Sequence, residues 1–411
     1  MNVCVQGLWH LGAVTAACLA EAGHHVIGLD HDPSTIEGLR AGKAPISEPG
    51  LDAMIARNKI EFTTDIAAAA RADVLWVTYD TPVDADDVAD VEFVVAKVQA
   101  VLPHLRDGAV VIVSSQLPVG SVARLETPRL MFACSPENLR LGKALEVFQQ
   151  PDRVVVGVRS AAAKALITEL LAPITSKIEW MSVESAEMTK HAINAFLALS
   201  VTFANELATT CEQVGADAKE VERGLKTESR IGPRAYLGPG GAFAGGTLAR
   251  DIAFLSELAA QHHLTQPLIA AVRPSNEAHK KWALRRLGDV ASKTIAIWGL
   301  TYKPGTDTLR RSSSVELALA LVAAGATVQA WDPAVRGADL PITFATDAYA
   351  ATRGASGLVI ATEWPELRQL DLAAAFASMQ RRFVVDANRF LAKQVAGLDV
   401  EYYAVGVPNH G

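Results

Sequence analysis

Short apolar runs of strand length alternate along the chain with longer segments whose apolar residues recur at helical spacing. Asn2–Gln6 predicts a strand, Gly7-Leu8-Trp9-His10-Leu11-Gly12 a turn, and Ala13–Ala22 an alanine-rich helix capped by Gly23. His25–Leu29 predicts a second strand that ends on Asp30. Further strands are expected at Val74–Thr78, Ala109–Val113, Met131–Ala133 and Arg153–Val158, with a helix over Val91–Leu105. Polar clusters follow the strands at Tyr79-Asp80-Thr81-Pro82, Ser114–Gly120 and Ser135–Arg140. Doubly wound sheets bind ligands at such strand ends, although Thr81-Pro82 or Pro118-Val119-Gly120 alone reads as turn chemistry.

Ser185–Val214 is a long helical pattern stopped by Gly215, and Lys190 and Asn194 share one of its faces. In so apolar a helix they suggest a polar site, with a snorkelling lysine as the alternative. Glu220–Leu225, Asp251–Gln261 and Gln266–Leu287 are helical by spacing. Between them lie Arg230-Ile231-Gly232-Pro233 and the glycine-dense stretch Gly238–Asp251, which reads either as a surface loop or as a loop whose backbone approaches a ligand. A second strand–turn–helix–strand unit follows: Thr294–Trp298, the turn Gly299–Pro304, Ser313–Ala324, and Thr327–Trp331 ending on Asp332. Later strands are Gly357–Ala361 and Phe383–Val385.

The expected fold is therefore α/β, with two Rossmann-like doubly wound domains joined by a long central helix or helical domain. Its predicted boundaries are residues 1–182, 183–288 and 289–411.

Composition narrows the function. A chain of 411 residues predicts two or three domains, and 50% hydrophobic with 20% charged residues describes an ordinary globular protein. The net charge of −7 disfavours nucleic acid or an anionic membrane as partner. No unbroken apolar run approaches bilayer-spanning length, and the strand-like MNVCVQG start predicts no signal peptide. Cys4, Cys18, Cys134 and Cys211 are scattered, which reads as buried reduced thiols in a cytoplasmic protein and predicts no metal site.

The first strand–turn–helix–strand unit has a dinucleotide-binding layout. Glycines let the turn double back, the helix N-terminus offers free N–H groups to a pyrophosphate, and Asp30 is placed to accept from ribose hydroxyls. A carboxylate there repels a 2′-phosphate, so NAD is favoured over NADP. Trp9 occupies the middle glycine position of the GxGxxG pattern, and a unit without cofactor is the alternative. Lys303 and Arg310 would neutralise a diphosphate, or are surface cations.

Collinear motifs across nearly the whole length resemble the UDP-glucose/GDP-mannose dehydrogenase family. They are the N-terminal unit with Asp30, Thr81–Val83, SSQLPVGS at Ser114–Ser121, SPENLRLGKA at Ser135–Ala144, PDRVVVG at Pro151–Gly157, AEMTKHAINAFLA at Ala186–Ala198, RIGP at Arg230–Pro233, GLTYKPGTDTLRRS at Gly299–Ser312 and ATEWPEL at Ala361–Leu367. The resemblance implies NAD in the first domain, a nucleotide-sugar (UDP-sugar favoured) between the central helix and the last domain, and two oxidations of a C6 alcohol. It also implies a homodimer through the central helix.

By the same resemblance Lys190 would stabilise an oxyanion, with Asn194 helping to hold it or a water. Glu137 would be a general base, Ser115 would order water near the nicotinamide, and Asp251 would close the catalytic set with Thr247. NAD would meet Gly7, Leu8, Trp9, His10, Leu11, Gly12, Asp30, Thr81, Pro82, Ser115 and Arg310. The sugar nucleotide would meet Glu137, Asn138, Leu139, Lys190, Asn194 and Arg230. It would also meet Tyr236, Gly240, Phe243, Ala244 and Gly245 on the loop, and Tyr302 and Lys303 beyond it.

The departures are as informative. The family loop reads roughly GFGGxCxPKD, and here it is Ala242-Phe243-Ala244-Gly245-Gly246-Thr247-Leu248-Ala249-Arg250-Asp251, with Thr247 for the nucleophilic cysteine. Asn138, Leu141, Thr35 and Asn388 are further substitutions, Asn388 standing for an arginine. A thiol can be poised as a thiolate near neutral pH and a threonine hydroxyl cannot without a strong base. The expectation is that four-electron oxidation is impaired. Cys134, beside the Ser135–Glu137 strand end, is a remote substitute. Alternatives are full oxidation without a covalent intermediate, an epimerase-like cycle, and a nucleotide-sugar-binding pseudoenzyme.

Overall fold

The computed structural model describes residues 1–82, 89–137, 139–244 and 246–408, which fall into two compact units, Met1–Ile193 and Asn194–Gly411. In the first, eight strands form one sheet: β1 Asn2–Gln6, β2 His25–Leu29, β3 Ile60–Thr63, β4 Val74–Val77, β5 Val110–Val113, β6 Met131–Cys134, β7 Val154–Val158 and β8 Ile178–Met181. Their order is β3-β2-β1-β4-β5-β6-β7-β8, parallel throughout except at β6–β7. Helices cover both faces, so β4 and β5 are buried along their whole length and read as unbroken apolar runs. The edge strands β3 and β8 are only partly buried, which is why their sequences carry no comparable pattern.

The first helix spans His10–Glu21, starting three residues before the predicted Ala13, and every residue from Leu11 to Leu19 is buried. Its small side chains permit that close approach. A Cβ on Gly12 would collide with the Gly7 carbonyl, so glycine there sets the tightness of the turn. The predicted helix at Val91 ends at Val101, and a short 3-10 turn containing Pro103 takes over, because proline removes a helical N–H.

In the second unit six parallel strands, β9 Thr294–Trp298, β10 Thr327–Trp331, β11 Thr343–Phe344, β12 Gly357–Ile360, β13 Phe383–Val385 and β14 Glu401–Tyr403, take the order β11-β10-β9-β12-β13-β14. This repeats the order of the first six strands of the other unit. The repeat extends to a side chain. Asp30 after β2 accepts from the Leu8 N–H at 2.6 Å, and Asp332 after β10 accepts from the Leu300 N–H at 2.7 Å. Each carboxylate thus braces the turn that follows the first strand of its own sheet.

The long helix is continuous from Val183 to Val214. Among the described residues it is the one helix long and apolar enough by length and composition to cross a membrane, although 44% of its most apolar window is buried in protein. The segment predicted as one helix over Gln266–Leu287 is two, Pro267–Lys280 and Trp282–Leu287. The helix predicted from Asp251 instead begins at Thr247, one turn earlier, with Gly246 as its N-cap at φ 106°. Thr247 is therefore a helical residue.

Candidate active site

The dinucleotide turn has the backbone its role requires. Gly7 sits at φ +91°, where a Cβ would lie 2.7 Å from the Tyr79 ring. Asp30 is buried and holds the turn through Leu8 while also accepting from the Asp32 N–H at 2.9 Å. Trp9 is the N-cap of the first helix with its side chain 48% exposed, so the indole projects to solvent and is not packed in the turn. These residues fit a dinucleotide pyrophosphate at the helix N-terminus. Thr81 is buried, with Oγ1 donating to the Gln116 carbonyl at 2.6 Å, and Pro82 beside it is exposed. Thr35 is spent locally, its hydroxyl donating to Asp32, the N-cap of its own helix.

At the ends of β5 and β6 the first unit gathers three of the predicted catalytic residues. Lys190 Nζ donates to the Glu137 carbonyl at 2.7 Å and lies 3.9 Å from its carboxylate. Glu137 in turn accepts from the Leu139 N–H. Ser115, Glu137, Glu187 and Lys190 line a cavity of about 20 Å³, and the buried Ser115 Oγ has no hydrogen-bond partner among the described residues. Glu187 accepts from the Gly120 and Val122 N–H groups at 2.7 and 2.9 Å, and burial raises its pKa despite those two bonds. His191 holds the same loop through the Leu117 carbonyl at 3.0 Å. The helix turn that carries Lys190 is thereby tied to the loop that carries Ser115. Cys134 lines this cavity too, but burial pushes its thiol far above the ordinary value, which removes it as a nucleophile.

In the second unit the glycine-dense stretch is pinned by side chains from three elements. Asn205 Oδ1 accepts from the Gly240 N–H at 3.0 Å, and His279 bonds the Gly240 carbonyl at 2.8 Å. Asn388 Oδ1 accepts from the Gly241 N–H at 2.7 Å, and Asn276 engages both backbone groups of Phe243. The stretch is a held segment, and glycine is needed there for close approach, since a Cβ on Gly240 would collide with Asn388. After the loop, Thr247 is exposed in the first turn of its helix, and Asp251 one turn on is fully buried and accepts from Asn194 Nδ2.

Beside the loop lies a cavity of about 560 Å³, lined among others by Ala244, Lys280, Tyr302, Lys303, Glu363 and Asn388. Its size suits a nucleotide-sized ligand. Lys280 is paired with Glu277 and Glu316 at 3.0 and 2.8 Å. Glu363 has its pKa raised by burial, against a bond from Asn388.

Several expected substrate and cofactor residues lie outside these two groups. Phe243 packs its ring with Ala195, Ala198, Ile252 and Val272, anchoring the loop through apolar burial. Tyr236 is 60% exposed and Arg230 pairs with Glu228 at 2.9 Å in solvent, and neither lines the cavity. Gly240 serves as a clamped backbone point, and Arg310 is exposed. Asn138 and Gly245 lie outside the described residues, as does Val83. The sequence reading missed Glu48, Glu187, Asn205, Asn276 and His279. Each is a lone polar residue in an otherwise ordinary local pattern, and only its partners reveal it.

Three models of the UDP-glucose/GDP-mannose dehydrogenase family match the chain: the NAD binding domain over residues 1–175, the central domain over 184–278 and the UDP binding domain over 296–393. The chain is 32% identical over 447 residues to a UDP-glucose 6-dehydrogenase of Pseudomonas aeruginosa, covering 100% of this chain and 98% of that protein. To the UDP-glucose 6-dehydrogenase of Rhizobium meliloti it is 33% identical over 442 residues, covering 100% of both. The structure of a UDP-glucose dehydrogenase from Pyrobaculum islandicum superposes with a TM-score of 0.87 at 31% identity, over 98% of this chain and 97% of that one.

Proposed function

Since this chain belongs to the UDP-glucose/GDP-mannose dehydrogenase family, as an NAD-dependent oxidoreductase acting on a nucleotide-sugar alcohol, we propose that it oxidises C6 of a UDP-sugar once and is impaired in the second oxidation to a uronate. The observation that carries this reading is Thr247. It occupies the loop position of the expected nucleophile, and the four cysteines are all buried.

The first oxidation needs a base for the hydroxyl proton and a cation for the developing alkoxide. Glu137 and Lys190, in contact with one another, supply both: the carboxylate takes the proton while the ammonium stabilises the oxygen. NAD, when bound, accepts the hydride that leaves C6. Within the second unit, the buried Asp251 orients the Asn194 amide, and Lys303 and Tyr302 line the cavity for the nucleotide. The product of one such cycle is an aldehyde and one NADH.

A second reading draws on the small cavity at Ser115. It has room for one water-sized molecule facing Glu137 and Lys190, which favours a hydrated aldehyde as donor of a second hydride without covalent catalysis. Incubation with NAD and UDP-glucose separates the two by the NADH formed per product. One NADH per aldehyde supports the single oxidation, and two with a uronate overturn it. Thr247→Cys is expected to raise the uronate yield. Dimerisation through the long helix is part of the same proposal, because Phe196 and Phe203, two turns apart on one face, are 65% and 50% exposed.

A further inference from the structure

Glu48 bonds both the start of the helix that follows the dinucleotide turn and the segment leaving β6. Its carboxylate is 1% exposed. Oε2 lies 2.9 Å from His10 Nε2 and accepts from the Gly142 N–H at 2.8 Å, while Oε1 accepts from the Ala144 N–H at 2.9 Å. Burial alone would raise its pKa, and the bonds from Gly142, Ala144 and His10 outweigh that and lower it.

The partners are far apart in sequence. His10 is the first residue of the helix that opens on the turn. Gly142, at φ +90°, and Ala144 follow Glu137 and Leu139 on the segment read above as substrate-binding. A buried carboxylate with three donors ties the two segments together: moving either one by about an ångström must carry the carboxylate with it or break a charge-assisted bond.

We propose that Glu48 is a positioning residue that couples NAD binding at the His10 turn to the placement of Glu137 and Leu139, so that cofactor and nucleotide-sugar tighten each other's binding. The inference rests on the reading of Glu137 and Leu139 as substrate contacts. Linkage requires the effect to be equal in both directions.

NADH and UDP-glucose form a pair that does not turn over, so each dissociation constant is measurable by calorimetry with and without the other. The expected result is a reciprocal tightening of about fivefold or more in the wild type. His10→Leu, which removes the donor at a partly exposed site, brings the factor below about twofold. His10→Gln, whose amide N–H reaches Glu48, restores it. A merely structural role would lower the melting temperature of His10→Leu and leave the factor intact, and that outcome overturns the proposal. So does a wild-type factor of one. Failure of the wild type to bind NADH or UDP-glucose at all overturns the functional reading beneath it, and is told apart because no constant is then obtained.

Discussion

The Asn276 carboxamide satisfies both backbone groups of Phe243: Oδ1 accepts from its N–H at 3.0 Å and Nδ2 donates to its carbonyl at 2.8 Å. A side chain here does what a neighbouring strand does in a sheet. Replacing it leaves two partly buried backbone groups unpaired. Asn276→Ala is expected to cost about 1–3 kcal/mol of stability, read as a lower melting temperature. It should also raise KM for the nucleotide-sugar more than it lowers kcat, because the loosened loop lines the cavity. A variant with unchanged KM would show that the clamp serves stability alone.

Lys190 is expected to act on the transition state. Lys190→Met retains the apolar stem and removes the cation beside Glu137. Loss of a developing-oxyanion partner lowers kcat by about 100-fold or more. NADH affinity, measured by fluorescence titration, should change little. A comparable loss in both would place the lysine in cofactor binding.

Asp30 tests the cofactor assignment. The carboxylate is buried, braces Leu8 and stands where a 2′-phosphate would meet negative charge. Asp30→Ser removes a charge-assisted acceptor worth about 1.5–3 kcal/mol, which is roughly ten- to hundredfold in NADH affinity. NADPH should weaken less or tighten, so the NADH-to-NADPH ratio of dissociation constants narrows. An unchanged ratio would remove Asp30 from cofactor selection.

His279 sets a pH dependence. Burial holds its pKa below the ordinary imidazole value, with Arg285 adding to the shift and the Gly240 carbonyl and Glu212 opposing it. The folded protein therefore binds fewer protons at this site than the unfolded chain. Its contribution to stability is complete above the ordinary value of about 6.5 and is lost as pH falls through the lower folded value. His279→Gln keeps a donor to Gly240 and cannot charge. Between about pH 7.5 and about pH 5.5 its melting temperature should fall less than that of the wild type. Parallel falls would mean that this imidazole is not the group that titrates.

Interior strands write themselves into sequence as largely apolar runs, so β1, β2, β4, β5, β6, β7, β9, β10, β12 and β13 were legible, as were the glycine turns, Asp30 and the long helix with Lys190. Motif order made the family legible too. Edge strands β3, β8, β11 and β14 were not, because partial burial imposes no strong pattern. The helix start at Thr247 was missed because its N-cap is a glycine at φ 106°, which offers no side-chain signal. Thr247 itself, and with it the question of the second oxidation, was set by sequence alone: one side chain has no thiol, whatever surrounds it. Which polar residues hold the loops was decided only by tertiary structure. Glu48 meets His10 and Gly142 across 38 and 94 residues of chain, and Asn388 meets Gly241 across 147. A hydrogen bond needs a partner within about 3 Å, and local sequence does not determine which distant groups folding will bring that close.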